Sequence, residues 1–331
     1  MVKTPSFWYP APDVKKPLKA FMLSPLSWFY HLGFKIHYGV VDAKVVDVPI
    51  ICVGNLNVGG TGKTPSCIAL EKIFTERNIT KAPYFLLRGY GGSERGPLLV
   101  NPETDLSKDV GDEALLLSRY APTIIATDRV EGAKYAKELG ADLVIMDDGF
   151  QNPSLEKDIS LLVINGAIGF GNGCLLPAGP LREPLEEGLN KANGFLLIGD
   201  DAHDVRSILP SDKPVFGATL KAFEDNLPCR DKRYIAFTGL GYPQKFFNFL
   251  MHDCGYDIIE TVGFSDHYDY QDRDIERLRA LADKENAALI TTEKDFVRLS
   301  PSQRDGVSTL PVFMQFSEED ALAAFIQGEL S

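Results

Sequence analysis

The stretch Gly54–Pro65, GNLNVGGTGKTP, follows the apolar run Pro49–Val53 and opens onto Pro65–Arg77, whose apolar residues recur at helical spacing. Glycines permit positive φ and let several backbone N–H groups converge on one anion, while the helix behind them offers the positive end of its dipole. Lys63 is then placed to reach β- and γ-phosphates, and the Thr64 hydroxyl to ligate Mg²⁺. Against the pattern G-x-x-x-x-G-K-[ST], Asn57 stands where the first glycine belongs, and asparagine is the residue that best tolerates left-handed backbone geometry after glycine. The expected nucleotide-binding set is Asn57, Val58, Gly59, Gly60, Thr61, Gly62, Lys63 and Thr64. A glycine-rich turn without a ligand is the plainer reading, and the position between an apolar run and a helix argues against it.

Outward from this loop, short β-branched runs alternate with helical stretches: Tyr84–Leu87, Glu113–Arg119, Thr123–Ala126, Arg129–Leu139, Leu143–Met146, Ile159–Ile164 and Gly194–Ile198. Strand, helix, strand in this rhythm predicts a parallel sheet covered on both faces, an α/β/α sandwich of the P-loop NTPase type. From about Arg230 the alternation restarts with YIAFTGL, a helix through Phe246–Leu250, DIIETVGF, a charged helix over Arg273–Glu285 and ALITT. This restart predicts a second, smaller α/β lobe joined near Asn226–Asp231. The expected division is an amphipathic segment over residues 1–48, a P-loop core over 49–228 and the smaller lobe over 229–331.

The chain has 331 residues, 44% of them hydrophobic, enough for two domains with real cores. Its net charge of -12 excludes a broad nucleic-acid-coating surface. The five cysteines are odd in number, widely spaced and free of CxxC, the usage of reduced thiols in a cytosolic compartment. Residues 1–48 run against the overall charge, with six lysines to three aspartates. Within them Leu18–Val40 is too interrupted to cross a bilayer as an apolar helix. Leu18, Met22, Leu26, Phe29 and Ile36 recur at helical spacing beside Trp28 and Tyr30, with Lys15, Lys16, Lys19, Lys35 and Lys44 nearby. That composition suits a helix lying on a membrane surface and equally one packed on the protein's own core.

Further clusters carry polar chemistry. In LVIMDDGFQ, Leu143–Gln151, a buried strand delivers Asp147 and Asp148 at its end, where folds of this type place the acids beside Mg²⁺. VGDEALLL puts Asp112 and Glu113 at a helix start, which by itself reads as compensation of the helix dipole. GPLREP holds Arg182 and Glu183 between helix breakers. FSDHYDY sets His267 among acids, by itself the pattern of a surface histidine.

Together GNLNVGGTGKTP, LRGYGG, VGDEA, DRVEGA, MDDGFQN, GPLREP, FTGLGYPQKFF, FSDHYDY and TTEKDFVRL, in this order, resemble the tetraacyldisaccharide 4'-kinase family over nearly the whole chain. The resemblance implies ATP- and Mg²⁺-dependent phosphorylation of the 4'-hydroxyl of a lipid A disaccharide 1-phosphate by a peripheral enzyme. It implies a place at the cytoplasmic face of the inner membrane and an N-terminal helix on that surface; no nucleic-acid partner and a monomer are expected. It further implies Lys63 as the phosphate lysine, Asp112 as the catalytic aspartate with His267 as its partner, and Arg182 at the γ-phosphate. Thr64, Asp147, Asp148, Gln151 and Glu183 are implied at the metal and its shell.

One departure is Leu87, where a small polar residue is expected before RGYGG. Two other readings remain. A membrane-positioning switch ATPase of the deviant K-G-G-x-G-K-[ST] type would need a lysine at Val58. A GTPase would need one residue between Lys294 and Asp295 in TTEKDF, where there is none.

Overall fold

The computed structural model describes residues 5–10, 17–222 and 227–331. Lys15, Lys16 and the start of the expected join, Asn226, lie outside the described residues.

Thirteen strands are described: β1 (Ile50–Gly54), β2 (Pro83–Leu87), β3 (Leu98–Leu99), β4 (Thr123–Ile125), β5 (Leu143–Asp147), β6 (Ile159–Asn165), β7 (Gly194–Ile198), β8 (Val215–Ala222), β9 (Arg233–Thr238), β10 (Asp257–Gly263), β11 (Ala288–Thr292), β12 (Val307–Leu310) and β13 (Val312–Phe316). Nine form one sheet in the order β13-β8-β7-β6-β1-β5-β2-β4-β3, and four form a second in the order β10-β9-β11-β12. The larger sheet is parallel except at its edges, where β13 runs antiparallel to β8 and β3 to β4. The smaller sheet is parallel throughout.

Strand alternation sorts the side chains onto two covered faces. Ile51 and Val53 of β1, and Leu143 and Ile145 of β5, pack with Cys67, Leu70 and Phe74 of the helix Lys63–Glu76. Ile50, Cys52, Val144 and Met146 face the other way, onto Val130, Ala133 and Ala136 of the helix Arg129–Glu138. Leu87 belongs to the first of these faces and is 4% exposed. Its apolar character is explained by the core, and the polar groups of its loop begin at Arg88.

The C-terminal end departs from the sequence reading. β13 pairs with β8, and Leu322, Ala323 and Ile326 of the helix Glu319–Glu329 pack with the larger sheet's core. The smaller sheet therefore draws on 233–310 alone, and the chain returns through Pro311 to the larger one. Alternation within 312–331 is compatible with either sheet, so only the pairing partner distinguishes them.

β1 lies between β5 and β6 in the sheet, and the chain passes from one side of β1 to the other as it runs from β5 to β6. At such a switch point the loops leaving the strand ends diverge and open a crevice.

Candidate active site

The loop leaving β1 enters that crevice. Its first part is tied down: Asn57 makes an isolated bridge to Leu181, Val58 N donates to Pro180 O (2.8 Å) and Arg182 N donates to Leu56 O (2.8 Å). Asn57 is buried, and its Nδ2 donates to Gly169 O (2.9 Å). Its φ is not positive, so its fitness at this position comes from that hydrogen bond rather than from tolerance of left-handed geometry. Val58, expected at the nucleotide, has its N–H committed to Pro180. The amides of Gly59–Thr64 remain as the candidate cradle. Gly62 has φ 100° as the residue capping the helix Lys63–Glu76, a conformation in which a side chain is strained.

Beyond Gly62 a chain of bonds runs from Lys63 to Glu183, with Thr64 and Asp147 paired beside it. Lys63 Nζ lies 3.3 Å from Asn55 Oδ1 and 3.7 Å from Asp148 Oδ1. Thr64 Oγ1 donates to Asp147 Oδ2 at 2.9 Å. Arg182 Nη1 donates to Asp148 Oδ1 (2.9 Å) and to Gln151 Oε1 (3.3 Å). Gln151 Nε2 in turn donates to Glu183 Oε1 and to Asn55 O, both at 2.9 Å. Glu183 is fully buried and its second oxygen pairs with Lys191, so both oxygens are engaged within the protein.

The two neighbouring aspartates differ in environment. Burial, reinforced by the Glu113 charge, pushes the Asp147 carboxyl up. Burial acts the same way on Asp148, but Lys63 and Arg182 outweigh it and hold that carboxyl below the usual range. Asp147 Oδ1 is buried without a hydrogen-bond partner among the described residues. An oxygen of that kind beside a hydroxyl is what a divalent cation satisfies. Asp147 and Thr64 offer the donors that suit Mg²⁺, which binds through one or two carboxylates plus phosphate and water; among the described residues no cluster of three His, Cys, Asp or Glu side chains suits a metal. Asp148 has φ 53° and His267 φ 55°, left-handed for non-glycine residues, a backbone strain that gathers at functional sites.

A second network centres on Asp112, which is 5% exposed at the start of the helix Asp112–Leu117. His267 Nδ1 lies 3.2 Å from Asp112 Oδ2, and Arg298 donates to the same oxygen through Nε (2.8 Å) and Nη2. Lys294 stands 3.9 Å away and pairs with Glu113 at 2.9 Å. Burial opposes ionisation of Asp112, but the His267 hydrogen bond and the Lys294 and Arg298 charges prevail and hold its carboxyl well below the usual range. The helix Asp112–Leu117 packs on both Lys63–Glu76 and Glu293–Phe296, so it lies between the phosphate loop and the smaller sheet. The Tyr90 ring meets His267 edge-on at 6.1 Å.

Sequence reading did not single out Asn55, Lys191, Arg129 or Arg298. Arg129, the arginine of DRVEGA, is buried with Nε unpartnered among the described residues, and burial lowers its pKa to about 10. A charged residue beside apolar neighbours in DRVEGA and TTEKDFVRL was the available signal. Asp295, adjacent to Lys294, is buried and accepts from Thr238, Gly239, Tyr270, Thr292 and Arg298, so it is no free reader of a guanine base.

A family model, tetraacyldisaccharide-1-P 4'-kinase, matches residues 19–331. The chain belongs to that family. The tetraacyldisaccharide 4'-kinase of Jannaschia sp. is 41% identical over 321 residues, covering 96% of each chain. That of Gluconobacter oxydans is 44% identical over 271 residues, 82% of each. Among solved structures, LpxK from Aquifex aeolicus, crystallised in complex with ATP, superposes with a TM-score of 0.76 at 27% identity, covering 94% of this chain and 99% of that one. Family membership disposes of the switch-ATPase and GTPase readings.

Proposed function

We propose that this kinase transfers the γ-phosphoryl group of ATP to the 4'-hydroxyl of tetraacyldisaccharide 1-phosphate, giving lipid IVA in lipid A biosynthesis, with its two networks dividing the work. The observation that carries this reading is the pairing of Thr64 with a half-satisfied, buried Asp147 directly behind the Gly59–Thr64 cradle.

The amides of Gly59–Thr64 and the Lys63 ammonium bind the β- and γ-phosphates, and Arg182 reaches the γ-phosphate from the facing loop. Thr64 and Asp147 would hold Mg²⁺, with Asp148 beside them, and Gln151 and Glu183 would order that shell from behind. Bound there, the metal would supply positive charge to offset that of the phosphates. In the transfer the 4'-oxygen bonds to the γ-phosphorus while the β–γ bridging P–O bond breaks, its electron pair leaving on ADP. The hydroxyl proton passes to Asp112, which His267 orients. The transition state is loose, with charge spread over the equatorial oxygens, so fixed cations contribute most and the base must chiefly be ionised and aligned.

The acyl chains of such a substrate stay in a bilayer, and the helix Leu18–Val40 is suited to meet it. No helix among the described residues is long and apolar enough to cross a membrane. On this helix Leu18, Phe21, Met22, Trp28, Phe29 and Ile36 are each more than half exposed, while Ser27, Tyr30 and Tyr38 hydrogen-bond the opposite face to Leu175, Arg182 and Phe150. The enzyme sits on the cytoplasmic face of the inner membrane, the smaller unit closing over the acceptor. One copy suffices, because both networks come from a single chain.

The test is phosphoryl transfer from labelled ATP to detergent-dispersed tetraacyldisaccharide 1-phosphate with Mg²⁺, with acceptor omitted as control and GTP as the competing donor. Labelled lipid should form with ATP only. Well-folded protein that labels no lipid, or that requires GTP, overturns the proposal.

A further inference from the structure

Every hydrogen bond and ion pair to the Asp112 carboxylate among the described residues falls on one oxygen, Oδ2. Arg298 supplies two of them and is itself fixed: its side chain is 5% exposed, its Nη1 donates to Asp295 Oδ1 (2.8 Å) and Gly239 O (3.2 Å), and Asp295 is fully buried under five donors. Arg298 Nη2 also lies 3.4 Å from His267 Nδ1. Both nitrogens of Arg298 that reach Asp112 can only donate, so His267 Nδ1 donates to Asp112 in the tautomer protonated there and accepts from Arg298 Nη2 in the other.

We propose that Arg298 is a positioning residue for the transfer: anchored on the smaller sheet's side, it clamps Asp112 through Oδ2 and presents Oδ1 to the acceptor hydroxyl. A planar guanidinium with two donors on one oxygen fixes the carboxylate's rotation as well as its charge, which an ammonium cannot do. The clamp spans the two sheets, so Asp112 is aligned only when the smaller unit is seated. This rests on the reading of Asp112 as proton acceptor.

The experiment is a double-mutant cycle on steady-state kinetics with ATP and the lipid acceptor. Asp112→Asn is measured first; turnover at the wild-type rate would remove the proton-acceptor reading and this inference with it. Given a slow Asp112→Asn, Arg298→Gln is expected to lower kcat by about 10²-fold with KM for ATP changed less than about twofold. The double variant should be no slower than Asp112→Asn alone, because Arg298 then has no carboxylate to position. Arg298→Lys, which retains the buried charge on a single donor nitrogen, should recover part of kcat and guards against loss of fold. Losses that multiply in the double variant, or an Arg298→Gln enzyme as fast as wild type, would assign Arg298 a structural role only.

Discussion

Lys63 is held between Asn55 Oδ1 and Asp148 Oδ1, two acceptors on different elements, with its side chain 12% exposed. That arrangement orders the ammonium beside the cradle before any phosphate arrives. Lys63→Met should therefore leave the fold intact and lower kcat by about 10²–10³-fold, the usual cost of removing one preorganised charge contact from a transition state; circular dichroism and initial rates check both halves. Asp112 and Asp147 are both buried aspartates, yet their surroundings drive them oppositely, the first below and the second above the usual carboxylate range. For Asp112 the sign is clear. A depressed folded value means its ion network stabilises the protein above the unfolded aspartate value of ~4 and loses that contribution as pH falls through the folded value. The melting-temperature gap between wild type and Asp112→Asn should hold near neutrality and close only in strong acid, and thermal melts across pH read it directly. Lys63 and Thr64 were legible because a contiguous motif carries them. Arg298 was not, because its meaning lies in a hydrogen bond to a residue 186 positions away.

The phosphate loop and the N-terminal helix share one platform, the segment 174–182. Leu56 and Val58 bond to Arg182 and Pro180, while Ser27 and Tyr30 bond to Leu175 and Arg182. Lys191 lies 4.2 Å from the Tyr38 ring and also pairs with Glu183, so the helix reaches the active-site network through a cation–π contact. One face of the helix thus packs on the protein, as one sequence reading expects, and the other is apolar and exposed, the face on which the proposed membrane contact rests. Replacing Phe21, Trp28 and Phe29 by serine removes outward area only. Since burying each such side chain is worth ~1.5–3 kcal/mol, the triple variant should sediment at least tenfold less with anionic vesicles while its melting temperature stays unchanged. Equal sedimentation would refute a membrane role for this helix.

Across the whole molecule, the larger and smaller sheets are joined by two chain crossings and by a polar seam. Asp112–Arg298, Glu113–Lys294 and the Tyr120 hydroxyl to Glu293 Oε1 (3.2 Å) all bridge them, with the Arg119 guanidinium over the Phe296 ring at 5.6 Å. Apolar packing accompanies these polar contacts: Val297 joins the larger sheet's core, and Ala222 and Val312 pack against the smaller one's. ATP with Mg²⁺ contacts groups ordered only in the native state, so at 100 times its dissociation constant it should stabilise the enzyme by about 2.7 kcal/mol. The melting midpoint should rise accordingly in wild type and much less in Lys63→Met, measured by differential scanning fluorimetry.

What the amino-acid sequence determined by itself was local: period-two runs that make strands, helical spacing between them, and a phosphate loop whose chemistry depends on adjacent residues. These features are set by backbone sterics and by neighbours within a few positions, so they can be read without a fold. Tertiary structure alone decided that Val312–Phe316 pairs with β8, that Asn57 serves through Gly169, and that Asp112 meets His267 and Arg298 on a single oxygen. Each of these is a contact between segments far apart in the chain, and a sequence pattern carries the capacity for such a contact without naming its partner.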